Sequence, residues 1–76
     1  MKPTIGRTVI YKCSMEEQDM RNNYQPTAPA IITAVWSDTV VNLKVIADGP
    51  DTFWKTSVPF GNDQINWSWP KIVTAE

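Results

Sequence analysis

Seven residues near the N-terminus, Arg7 to Cys13 (RTVIYKC), alternate. Val9, Tyr11 and Cys13 face one way, and Thr8, Ile10 and Lys12 the other, which predicts a strand after a turn at Gly6. The next stretch, Ser14 to Pro26 (SMEEQDMRNNYQP), loses the alternation and is the most polar part of the chain. Ser14 followed by Glu17 fits a capping box, in which each side chain satisfies a free backbone N–H at a helix start. Glu16, Glu17 and Asp19 suit the positive end of a helix dipole, and Met20 and Tyr24 are spaced to share a face. Asn22 and Asn23 form a stop, and Pro26 bars continuation. A short helix over about residues 15–22 is the expectation, with a polar loop as its alternative, because so short a helix is marginal alone.

Pro29 to Trp36 (PAIITAVW) is apolar on both faces, Ala30, Ile32, Ala34 and Trp36 against Ile31, Thr33 and Val35. That predicts a central strand with Trp36 in the core. A turn at Ser37 to Thr39 joins it to Val40–Ala47, where Val41, Leu43, Val45 and Ala47 point inward and Asn42 and Lys44 outward. After a second turn at Asp48 to Asp51, a strand over Thr52–Val58 puts Phe53, Lys55 and Ser57 on one side and Trp54, Thr56 and Val58 on the other. A loop over residues 59–64 leads to INWSWPKIV, a short strand ending before Pro70, followed by a last strand or tail through Val73.

About five short strands and one polar excursion predict a mainly β fold. The expectation is a small, strongly bent antiparallel sheet or open barrel, similar in architecture to Src-homology-3-like and Tudor-like barrels. At 76 residues the chain makes one domain, 1–76. A core this small is thin. Four Trp, two Tyr and two Phe thicken it, each able to bury roughly 150–250 Å². The surplus also suggests aromatic surface shared between subunits.

Composition removes several functions. A net charge of −1 argues against double-stranded nucleic acid as a partner. The absence of histidine takes away the commonest general base and metal ligand, so no enzyme, metal or cofactor is expected. A single cysteine, Cys13, forms no internal disulfide and reads as a small buried hydrophobe. No apolar run approaches the roughly 20 residues that span a bilayer, so no membrane partner is expected.

The series PTIGRTVIY, SMEEQDMRNN, PAIITAVW, VVNLKVIADG, DTFWKTSV and WSWP resembles that of small proteins of tailed phages and prophages. The likeness runs from Pro3 to Pro70 and is most specific at Val41-Asn42-Leu43 and at Trp67-Ser68-Trp69-Pro70. Members usually have no assigned function, and many carry a longer excursion before the PAII strand. The resemblance implies a phage accessory protein working in the cytoplasm of a bacterial host.

Candidate binding residues come from the aromatic surplus. Trp67 and Trp69 lie on one face if extended; either one packs inside while the other covers the open edge, or the pair forms a surface for a flat ligand or a partner. Phe53 and Trp54 point to opposite faces, beside the cation of Lys55 and the hydroxyls of Thr56 and Ser57, a set suited to a base and a phosphate. Arg7, near Tyr11, pairs with a phosphate or, more blandly, with Asp48 or Asp51. The best reading of this set is a non-enzymatic binding protein that counteracts host defence, by sequestering a small nucleotide signal or by binding a host protein. So short a chain has little room for a pocket, so a homo-oligomer is expected. The alternative is a structural or assembly role as a minor virion protein.

Overall fold

A computed structural model describes residues 1–71. Strand β1 (Thr8–Lys12) is followed by helix α1 (Met15–Arg21) and then by β2 (Thr27–Val35), β3 (Val40–Ile46), β4 (Thr52–Pro59) and β5 (Asn66–Ser68). The strands form one antiparallel sheet in the order β4-β3-β2-β1-β5, with β2 at the centre as its two-sided apolar pattern predicts. The sheet curls into a half-barrel. Ile72 and Val73, the end of the expected last strand or tail, lie outside the described residues.

The concave face holds the core. Phe53, Val45, Ala30 and Val9 follow one another across four strands, and Tyr11 lies between Ala28 and Trp67 on the neighbouring rung. Alanine at two positions of the central strand leaves room inside the curl for the large rings. Tyr11 and Phe53 meet edge to face at 6.2 Å between ring centres.

Two irregularities create the curl. The β2–β3 register shifts between Ile32 and Ala34, and the β3–β4 register shifts between Val41 and Leu43. Both meet at Asn42. A bulge adds an unpaired residue, bends its strand and increases the local twist. On β4 the extra residue falls at Thr56-Ser57, where Ser57 takes φ 55°.

Three expectations are corrected here. Val58, not Ser57, joins Phe53 and Lys55 on the inner side, because the bulge reverses the alternation. Trp36 is 65 % exposed rather than in the core, because the β2 bulge shifts its phase. Asn42 is buried: alternation turns it away from Val41 and Leu43, but Trp36 and the β4 bulge cover it.

The expected helix is present, and its capping box is complete. The Glu17 N–H donates to Ser14 Oγ at 3.1 Å, and the Ser14 N–H donates to Glu17 Oε1 at 2.8 Å. No residue of α1 is buried, and Met20 and Tyr24 stand exposed rather than packed. Polar bonds hold the helix instead. Asn22, at its C-terminus, donates from Nδ2 to the carbonyls of Gln25 and Thr27 and accepts the Asp48 N–H at 2.7 Å, tying the helix exit to the β3–β4 turn.

Candidate functional site

The half-barrel is open between its edge strands, β4 and β5, and each end of the opening carries a pocket. At one end α1 bridges β1 to β4. Glu17 Oε1 accepts the Tyr11 hydroxyl at 2.8 Å, and Glu17 Oε2 lies 3.0 Å from Lys55 Nζ. Burial alone would push this carboxyl up. The Ser14 N–H, the Lys55 ammonium and the Tyr11 hydroxyl outweigh burial and hold it below the ordinary carboxylate range. Burial first, and then the bond to Glu17, push the Tyr11 phenol well above its usual value. Of the acidic residues read as suiting the helix dipole, Glu17 thus turns its carboxylate toward the interior.

Beside this clamp runs a groove of about 230 Å³, lined by Glu16, Glu17, Met20, Arg21, Phe53, Trp54 and Lys55. Trp54 points outward from β4, opposite Lys44, and is 58 % exposed. The Arg21 guanidinium stacks 4.9 Å from the centre of the Phe53 ring. Phe53 itself is buried and serves as the floor.

At the other end a parallel bridge between Phe60 and Trp67 draws β4 toward β5. A second pocket of about 350 Å³ is lined by Met1, Asp38, Thr39, Phe60, Trp67 and Trp69. The Trp67 indole N–H donates to the Thr39 carbonyl at 2.9 Å, and the Phe60 N–H donates to the same oxygen at 2.8 Å, which fixes the β2–β3 turn against the aromatic wall.

The sequence-derived candidates therefore divide. Phe53, Trp54 and Lys55 meet at the groove. Trp67 and Trp69 meet at the second pocket; Arg7 lies outside its lining, with the guanidinium 5.3 Å from the Trp69 ring centre and Nη2 in contact with Met1 Sδ. The expected pairing of Arg7 with Asp48 or Asp51 is not formed, because Trp69 and Met1 hold the side chain elsewhere. Thr56 and Ser57 belong to neither pocket; they gather around Asn42 and Trp36. Tyr11 (0 % exposed) and Trp67 (1 %) are core residues with almost no surface to offer an external partner. Trp69, half-buried against Trp67, covers the core at the open edge.

Arg21, Glu17, Phe60 and Asp38 carry parts of these sites that the strand pattern does not reveal. The capping box marked Glu17 for Ser14 alone, and nothing local links Arg21 to a strand 32 residues further on. Among the described residues no group of three or more histidines, cysteines, aspartates or glutamates is placed to hold a metal ion.

Fold and sites together define a small curled β half-barrel with an aromatic-walled pocket at each end of its open side. Comparison with protein-family models, curated proteins and solved structures finds no match to this chain.

Proposed function

We propose that this is a non-enzymatic phage accessory binding protein, which counteracts host defence by sequestering a small nucleotide signal in the bacterial cytoplasm. The origin comes from the sequence motifs. The observation that carries the binding role is the exposed Trp54 indole on the rim of a groove that also holds Arg21 and Lys55. An indole face stacks a base, and a guanidinium offers planar donors to a phosphate. Glu17 neutralises Lys55, so Arg21 is the principal anion contact. Glu16 on the same rim disfavours long runs of phosphate and suits a compact nucleotide.

The groove, at about 230 Å³, is smaller than the roughly 300–1,000 Å³ of most ligand sites. Two copies placing their grooves together would supply the missing wall, which supports a homo-oligomer. Titration calorimetry against a panel of linear and cyclic nucleotides, with light scattering, tests the reading. Saturable binding by an oligomer, lost in Trp54→Ala and Arg21→Ala, is expected. A monomer indifferent to every nucleotide contradicts it.

Trp36 favours a second reading. Its ring is exposed outside both pockets and pinned by a hydrogen bond, as suits a protein contact. The partner is then a host protein or a neighbouring virion subunit, and co-purification with host lysate or with particles distinguishes the two.

A further inference from the structure

The second pocket is built from three rings in sequence. Phe60 lies 4.9 Å from Trp67 at 78° between planes, and Trp67 lies 5.1 Å from Trp69 at 85°. Successive rings are thus nearly perpendicular, and all three line one cavity of about 350 Å³. Trp67 is its immobile back wall, held by the Thr39 carbonyl, while Phe60 is 49 % exposed and Trp69 half-buried. The charged side chain in the lining is Asp38, at the tip of the β2–β3 turn. Among the described residues no lysine or arginine pairs with it.

Aromatic faces attract cations through the negative centre of the ring, and a corner of several rings recognises alkylated ammonium groups too large and too weakly hydrated for a simple ion pair. This pocket has the rings and the carboxylate, and no lysine or arginine is among its lining residues. Trp69 already holds one cation, the Arg7 guanidinium 5.3 Å from its centre. From this geometry we infer a second binding site, distinct from the α1–β4 groove, that takes an alkylated ammonium group. Phe60 and Trp69 contact the cation, the buried Trp67 closes the pocket from behind, the Met1 thioether adds polarizable surface, and Asp38 supplies the countercharge.

The test titrates the full chain with choline and, in parallel, with 3,3-dimethylbutan-1-ol, which has the same shape and no charge. Tryptophan fluorescence and the indole N–H resonances of Trp67 and Trp69 report occupancy. Choline is expected to saturate the site at least tenfold more tightly than the neutral alcohol. Asp38→Asn, in an exposed turn, lowers choline affinity several-fold without altering indole dispersion. Phe60→Leu reduces the preference for charge, and Trp54→Ala leaves choline binding unchanged. Equal binding of the two compounds overturns the inference, as does the absence of a saturable response to choline. So does choline affinity unmoved by Asp38→Asn and Phe60→Leu.

Discussion

The indole N–H of Trp36 donates to the side-chain oxygen of Asn42 at 2.8 Å, joining an exposed ring to a buried amide. The same oxygen accepts the Ser57 N–H at 2.8 Å and the Thr56 hydroxyl at 3.1 Å. Asn42 thus satisfies the N–H that the β4 bulge withdraws from the sheet ladder, at the point where both neighbouring strands bulge.

Replacing Asn42 with Ala or Leu leaves that N–H without its partner. The loss is about 1–2 kcal/mol, from one part-buried donor left without its partner and two bonds from exposed donors broken. Urea denaturation reads the change as a lower midpoint. A Trp36→Phe variant, which removes one donor from the rim, costs about 1 kcal/mol or less.

Glu17 makes stability depend on pH at the acid end. Its folded-state pKa lies below the ordinary value of 4.5. Its contribution is therefore complete above that value and is lost as pH falls through the lower, folded-state value. Glu17→Gln should cost about 1–2 kcal/mol at neutral pH, the half-exposed Lys55 moderating the ion pair. The difference between the two proteins should shrink on acidification. Tyr11 works in the opposite sense: its raised pKa gives stability that is present below 10.0 and lost as pH rises above it. Chemical denaturation across pH checks both limbs.

The tryptophans should separate by role. Trp67→Ala empties the centre of the core and costs roughly 3–5 kcal/mol, enough to unfold a domain of this size. Trp54→Ala removes an outward ring and should change stability by about 0.5 kcal/mol or less. It should nevertheless remove ligand binding at the groove. Thermal melts and calorimetry of the two variants distinguish these outcomes.

Much of the fold was legible because one face of the half-barrel is sealed. Val9, Tyr11 and Cys13, and Val41, Leu43, Val45 and Ala47, alternate with partly or fully exposed positions apart from Asn42, and burial follows that alternation. The helix was legible because Ser14 and Glu17 act within one turn. Bulges escaped, since they depend on pairing between strands. One extra residue near Thr33 carried Trp36 outward, and one at Thr56-Ser57 exchanged Val58 for Ser57. The candidate site was legible as an excess of aromatics but not as an arrangement. Arg21 reaches Phe53, and Asp38 comes to line one pocket with Phe60 and Trp69, only because the sheet curls.

Ile65 adopts φ 61° just before β5, a conformation that crowds a β-branched side chain. Its N–H donates to the Lys12 carbonyl at 2.7 Å, so the chain is held there by β1, and the side chain is partly exposed. Ile65→Asn, which tolerates this conformation, should gain about 0.5–1 kcal/mol. A higher thermal midpoint is the expected reading.

Native mass spectrometry of the intact protein, purified from bacteria and incubated with a mixture of small nucleotides, tests the binding role most directly. An assembly of two or more copies that retains a compact nucleotide, and loses it in Trp54→Ala, is the expected result. A single bare chain, free of ligand at every nucleotide concentration, would contradict the account.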